Sequence, residues 1–151
     1  MGVLVADGNG TDNELNQISE PVDLIVDNNG AIFVSDYRNH RILKWENRTK
    51  EGVIVAGGQG DGADLSILSF ACGVTIDEQG TVYTSELGNN RVTHWFKGAA
   101  ECQVIAGGNG PGRQANQLHF PIGIAFDASC NIYVADRNKM IVFNVFISLD
   151  K

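Results

Sequence analysis

The sequence has little proline and no apolar segment long enough to cross a bilayer. Three prolines accompany 18 glycines in 151 residues, so the glycines belong neither to collagen nor to a proline-rich linker. The longest apolar stretch, 140–149, is interrupted by Asn144 and Ser148, and it is shorter than the roughly 20 residues that a membrane-spanning helix needs. Many turns and short strands are the natural alternative, and no membrane partner is expected.

Cysteines are also few, and their arrangement excludes two common uses. Cys72, Cys102 and Cys130 are odd in number and form no CxxC pair, which argues against a disulfide framework and against a zinc site. We expect free, buried thiols. The N-terminal residues 1–6 lack the basic region and the apolar run of a signal peptide. Together these features favour a soluble cytoplasmic protein.

Positive charge is scarce throughout the chain. Eleven Lys and Arg residues face 18 Asp and Glu residues, and the formal net charge is −7. A nucleic-acid ligand needs a clustered basic surface, because binding is driven by neutralising phosphates. The composition therefore argues against a nucleic-acid partner.

The most informative feature is an internal repeat with a period of 50 residues. Segment 22–36 recurs at 72–86 and at 122–136 without an insertion. A similar offset links the Val-Ala-Gly-Gly of 55–58 to the Ile-Ala-Gly-Gly of 105–108. A fixed period of this length is typical of repeat architectures.

Each period predicts four short strands. In the first period, segments rich in Val, Ile, Phe and Trp are separated by turn residues and lie at 22–27, 31–36, 41–45 and 52–57. No segment has a helical period over three turns. Four antiparallel strands every 40–50 residues form the blade of a β-propeller. We therefore predict an all-β chain, 1–151, with repeat units at about 20–57, 70–107 and 120–151.

The repeated segments resemble the NHL repeat, most clearly at 121–127 and 131–136, and at Asn90-Arg91-Val92 and 39–42. The resemblance implies a six-bladed propeller of the kind found in tripartite-motif proteins, amidating lyases and sensor domains of bacterial kinases. Three four-stranded blades would form half of it. The last blade is expected to lack its fourth strand, and residues 2–6 are expected to be an orphan fourth strand.

The loops between the second and third strands are the best candidates for binding contacts, because function concentrates on loops held by a rigid scaffold. They supply Tyr37, Arg38, Asn39, His40, Leu87, Asn89, Asn90, Arg137, Asn138 and Lys139. We expect a non-catalytic scaffold that binds a protein or a small ligand, with no cofactor and no metal.

A propeller hydrolase or lyase is the main alternative. Its metal ligands would converge on the central channel, whereas His40, His94 and His119 occupy different phases of the repeat. No Ser-His-Asp arrangement can be argued from the sequence either. The sequence therefore favours binding over catalysis.

RNA binding and substrate recognition for a ubiquitin ligase, as in tripartite-motif proteins, form a second alternative. The segments expected at the binding end carry nine acids, namely Asp7, Asp12, Glu14, Glu20, Asp36, Asp61, Asp64, Glu86 and Asp136. They carry six bases, namely Arg38, Arg41, Arg91, Arg113, Arg137 and Lys139. This excess of acids repels phosphate.

The remaining repeated polar residues are expected to be structural. Asp27, Asp77 and Asp127 each follow a strand and are predicted to cap a turn. Asp36 with Arg41, and Glu86 with Arg91, are predicted to form ion pairs within a blade. The glycine-rich segments 57–62 and 107–112 are expected to connect blades.

Three blades leave apolar sheet faces uncovered, so the assembly must supply the rest. The chain is expected to be a piece of a longer protein. In isolation it is expected to form a head-to-tail homodimer, with strand 3–6 of each chain completing the last blade of the other, or to aggregate.

Overall fold

The computed structural model describes residues 4, 6, 10–139 and the backbone of 141–145. The strands of these residues are β1 (Pro21–Val26), β2 (Ile32–Asp36), β3 (Arg41–Trp45), β4 (Val53–Gly57), β5 (Ala71–Ile76), β6 (Val82–Glu86), β7 (Arg91–Trp95), β8 (Gln103–Gly107), β9 (Pro121–Phe126), β10 (Ile132–Asp136) and β11 (Ile141–Val145). Helical structure in the described part is limited to a 3₁₀ turn at Tyr37–Asn39. The all-β prediction is confirmed, and the strands of the first period lie within one residue of their predicted bounds.

The strands form three antiparallel sheets, which we call blades 1, 2 and 3. Their orders are β1-β2-β3-β4, β5-β6-β7-β8 and β9-β10-β11. Trp45 pairs with Ile32 in blade 1, and Trp95 pairs with Val82 in blade 2. The two tryptophans therefore occupy equivalent positions 50 residues apart, as the repeat predicts.

Two predictions about the ends of the chain fall largely on residues that are not described. Of the predicted strand 2–6, the described residues are Leu4 and Ala6, and neither lies in a strand. Blade 3 has three strands within its described part, and 146–151 lie outside it. Head-to-tail closure, and the count of six blades, stay predictions.

Apolar side chains are buried where neighbouring blades face each other. One cluster joins Phe33 of blade 1 to Val74, Val82 and Trp95 of blade 2. A second cluster joins Tyr83 and Val92 of blade 2 to Ile124, Ile132 and Val134 of blade 3. Burying one such side chain contributes about 1.5–3 kcal/mol. The core of the molecule is thus distributed between the blades.

Polar contacts also join the inner strands of successive blades. The Val74 amide of β5 donates to Asp23 Oδ2 of β1 at 3.0 Å. The Ser85 hydroxyl of β6 donates to the Ile122 carbonyl of β9 at 3.0 Å. These bonds, together with the apolar clusters, fix the position of one blade against the next.

Aspartates cap the turn between the first two strands of each blade, as predicted. Asp77 Oδ1 accepts the amides of Gln79 at 3.0 Å and Thr81 at 2.8 Å. Asp27 and Asp127 make the equivalent pairs of bonds. Hydrogen bonds from the side chain and the backbone of Asn131 lower the pKa of Asp127. These carboxylates satisfy backbone donors that the ladder leaves free.

Candidate functional site: the loop face

The loops between the second and third strands lie at the same end of the blades as the long connections between blades. Backbone bonds join them: the Leu87 amide donates to the Phe70 carbonyl, and the Arg137 amide donates to the Phe120 carbonyl, both at 3.1 Å. We call this end the loop face, formed by 37–40, 87–90 and 137–139 with the residues that precede each inner strand.

A buried ion pair holds the connection that precedes blade 2. Arg91 Nε lies 2.7 Å from Glu86 Oε1, and both side chains are almost fully buried. The Arg91 guanidinium also donates to the carbonyls of Ala63, Asp64 and Ile67 at 2.7–3.3 Å. The carboxylate therefore orients a cation that binds the connection through its backbone.

Blade 1 has the same arrangement. Arg41 Nε lies 2.7 Å from Asp36 Oδ2. The Arg41 guanidinium donates to the carbonyls of Asn13, Glu14 and Gln17 at 2.6–3.0 Å. Both predicted ion pairs are thus confirmed. We call such a pair an anchor, because its cation holds the connection that precedes the blade.

Lys139 takes the place of the arginine in blade 3. Its ammonium lies 3.8 Å from Asp136 Oδ2, and the two side chains are 5% and 0% exposed. It donates to the Gln114 carbonyl at 3.1 Å and also to the Gln117 carbonyl. Lys139, a candidate for ligand binding in the sequence, therefore lies in an anchor.

The asparagines at the third position of the first two loops, Asn39 and Asn89, also hold the anchors. Asn89 Nδ2 donates to Glu86 Oε2 at 2.6 Å and to the Gly62 carbonyl at 2.7 Å. Asn39 Nδ2 donates to Asp36 Oδ2 at 2.9 Å. Their amide N–H groups are used in these bonds, so they offer few donors to a ligand.

His40 and Asn90 join one blade to the next. His40 Nδ1 accepts the Phe70 amide at 3.0 Å, and Asn90 Oδ1 accepts the Phe120 amide at 3.0 Å. Both residues are in the left-handed region, with φ of 51° and 50°. Gly57 packs so tightly here that a Cβ would lie 2.4 Å from the His40 carbonyl oxygen.

Five of the ten candidates keep side chains at the surface without an anchoring role: Tyr37, Arg38, Leu87, Arg137 and Asn138. Arg38 forms an exposed ion pair with Glu20 at 2.8 Å. Asn138 Nδ2 lies 3.2 Å from His119 Nε2. Partial burial raises the pKa of Tyr37.

Sequence analysis missed two aromatic residues on this face, Phe70 and Phe120. Each immediately precedes an inner strand and has a positive φ, of 50° and 60° respectively. Phe70 lies 4.9 Å from the Tyr37 ring and 4.5 Å from the His40 ring, centroid to centroid. Phe120 is 37% exposed. The available signal was their shared phase in the 50-residue repeat.

The three histidines do not form a common site. His40 and His119 lie on the loop face, whereas His94 is buried in β7, 5.5 Å from the Tyr83 ring and 3.1 Å from Gln103 Oε1. Among the described residues, no group of three His, Cys, Asp or Glu side chains could hold a metal ion.

The anchors use three acids and three bases of the segments counted in the sequence. The excess of acids over bases in those segments of the sequence is therefore unchanged. The exposed Arg38 is paired with Glu20, whereas a phosphate backbone needs a continuous basic surface.

One expectation about the thiols is wrong. Cys72 and Cys102 are buried and free, whereas Cys130 is exposed. Cys130 lies in the β9–β10 turn with a φ of 62°, where the tight turn keeps its side chain out of the core. Burial raises the pKa of Cys72 to about 11.

Comparison with known proteins agrees with this geometry. Residues 19–45 match the family model described as the NHL repeat. These residues span β1, β2 and β3 of blade 1 and include the first loop of the loop face. The first three strands of blade 1 match the NHL repeat. A search of curated proteins gives no match to the chain.

Solved structures of NHL-like propellers share the fold. An auxiliary nutrient binding protein from Bacteroides thetaiotaomicron matches with a TM-score of 0.65 and 16% identity, covering 82% of this chain and 36% of that one. Its counterpart from Bacteroides ovatus gives a TM-score of 0.64 and 17% identity, with the same coverage.

A virginiamycin B lyase from Staphylococcus aureus is also similar. It gives a TM-score of 0.62 and 16% identity, covering 89% of this chain and 41% of the lyase. This chain thus spans about two fifths of the length of such structures. At these identities the likeness establishes a propeller fold.

No helix in the described residues has the length and apolarity needed to cross a membrane.

Proposed function

We propose that the chain is a non-catalytic NHL-type propeller module that binds a protein segment or a small ligand on the loop face. The observation that supports this most directly is the row of partly exposed apolar side chains there: Tyr37, Phe70, Leu87 and Phe120. Aromatic residues on a rigid surface supply contact area at small entropic cost, and binding energy concentrates on them.

The scaffold under this row is rigid. Phe70 and Phe120 are held through their backbone amides by His40 and Asn90 of the preceding blade. The anchors hold the connections that lead to them. Such preorganisation raises affinity because little conformational entropy is lost on binding. Two of the similar structures are named as nutrient binding proteins, which is in keeping with a binding role.

A peptide library panned against the full chain tests the proposal. Peptides that bind wild type should lose about tenfold or more in affinity with Phe120→Ser, the loss of a central aromatic contact. Phe96→Ser is the matched control, because Phe96 is also exposed, at 51%, but lies at the opposite end of blade 2.

Equal weakening by both variants, or by neither, would contradict binding on the loop face. Circular dichroism of the two variants should match wild type, because both side chains are at least one third exposed.

A further inference from the structure

A concave site lies at the end of the blades opposite the loop face, between the turns that follow β1 and β5. Its volume is about 520 Å³, within the range of small-molecule sites. We call it the turn groove, and the residues that matter here are Asp27, Phe33, Lys44, Glu78, Trp95 and Phe96.

Asp27 differs from its two counterparts in the other blades. Asp77 Oδ2 accepts the Tyr83 hydroxyl, and Asp127 Oδ2 accepts the Tyr133 hydroxyl, each at 3.1 Å. Blade 1 has Phe33 at the position of these tyrosines. Among the described residues, Asp27 Oδ2 therefore accepts no hydrogen bond, and this carboxylate lines the groove.

The groove already holds a cation beside an aromatic ring. Lys44 Nζ lies 5.5 Å from the centre of the Phe33 ring, and it forms an ion pair with Glu46 at 2.5 Å. Three carboxylates line the groove (Asp27, Asp77 and Glu78) together with two ammonium groups (Lys44 and Lys97). Because the Lys44 ammonium is paired with Glu46, the groove has an excess of negative charge. Carboxylates beside aromatic faces favour organic cations.

Trp95 also lines the groove. The residue is 3% exposed, and its indole Nε1 is buried without a hydrogen-bond partner among the described residues. A buried donor without an acceptor costs free energy. Because this nitrogen is closed off from the surface, a ligand in the groove would meet the indole ring and not its N–H.

We propose that the turn groove binds a small organic ammonium compound with an apolar ring. The ammonium pairs with Asp27 and Glu78, and the ring packs against Phe96. This site is independent of the loop face, because the two lie at opposite ends of the blades.

Nuclear magnetic resonance of the indole N–H signals tests this directly with phenylalaninol. The chain has two tryptophans, and Trp45→Phe assigns their signals. Phenylalaninol should shift the Trp95 signal saturably and leave the Trp45 signal in place. Phenyllactate, which has the same ring and hydroxyl but a carboxylate, should cause no saturable shift.

Asp27→Asn should weaken phenylalaninol binding about fivefold, the effect of losing one partly exposed charge pair. The Asn oxygen still accepts the two amides that Asp27 caps, so the turn is kept. Asp127→Asn is the matched control outside the groove and should bind as wild type does. No saturable Trp95 shift, binding of phenyllactate, or equal affinity in the two variants would overturn the proposal.

Discussion

Blades 2 and 3 hold their preceding connections with different cations from different sequence positions. In blade 2 the cation is Arg91, the first residue of β7, five residues after Glu86. In blade 3 it is Lys139, which precedes β11 and is three residues after Asp136. The two anchors therefore share the position of the cationic group and the carbonyls that it binds, but a different residue supplies the cation in each.

The carbonyls are indeed equivalent. Arg91 binds those of Asp64 and Ile67, and Lys139 binds those of Gln114 and Gln117, 50 residues further along. The two cations differ, however, in how strongly they bind these carbonyls. Arginine presents a planar group with several donors, whereas the lysine ammonium is a compact charge. Blade 2 should therefore depend more on its anchor than blade 3 does.

Of the variants that test this comparison, Arg91→Met should lower the free energy of unfolding most. Methionine fills much of the arginine volume but leaves the Glu86 carboxylate, which is fully buried, without its cation. Removing one partner of a buried pair lowers the free energy of unfolding by about 3–5 kcal/mol. Urea denaturation followed by tryptophan fluorescence measures the loss, because Trp95 lies in the same strand.

Lys44→Met is the control for that variant. It removes a cation whose partner Glu46 has 52% of its side chain exposed, and such pairs contribute less than about 1 kcal/mol. If the two variants were equally stable, the buried anchor would have no special role in blade 2.

Lys139→Met should be milder, lowering the free energy of unfolding by about 1.5–3 kcal/mol, because charged hydrogen bonds to two carbonyls are lost. The loss is smaller than for Arg91→Met because the Lys139 ammonium lies 3.8 Å from Asp136 Oδ2, whereas Arg91 Nε lies 2.7 Å from Glu86 Oε1. Hydrogen exchange should show faster exchange in connection 108–120 and unchanged exchange in 58–70. Faster exchange in both connections would mean that Lys139 stabilises more of the molecule than the connection that it contacts.

The periodicity of the sequence predicted the framework because it encodes local structure. Apolar residues recur at the strand period, and Asn, Gly and Asp separate the strands, so the bounds of β1 to β4 follow from the pattern. The pairs Asp36–Arg41 and Glu86–Arg91 recur at one spacing and could be predicted for the same reason.

Lys139 could not be predicted in this way, and for Phe70 the repeat gives the phase that it shares with Phe120 but not its place on the loop face. Lys139 is out of phase with the arginines, and it joins the anchor because its flexible side chain reaches the same carbonyls. Phe70 follows a long connection whose path no local pattern specifies. Its place on the loop face depends on the amide bond to His40, 30 residues earlier. Contacts between distant segments are the part that periodicity does not encode.

Blades 2 and 3 also differ in the turn between their first two strands, β5–β6 and β9–β10. Changes in this turn should have the smallest effect on the free energy of unfolding. Blade 2 has Gly80 with a φ of 80°, whereas blade 3 has Cys130 with a φ of 62°. A left-handed conformation costs a residue with a Cβ roughly 1–2 kcal/mol, and the greater entropy of glycine in the unfolded chain offsets part of this. Cys130→Gly should therefore raise the free energy of unfolding by about 0.5–1 kcal/mol in urea titrations under reducing conditions. Gly80→Cys is the reverse change, and no atom lies within 4 Å of its added Cβ, so it should destabilise by a similar amount through backbone strain alone. Destabilisation by Cys130→Gly would instead mean that the exposed thiol makes contacts that outweigh the strain of its turn.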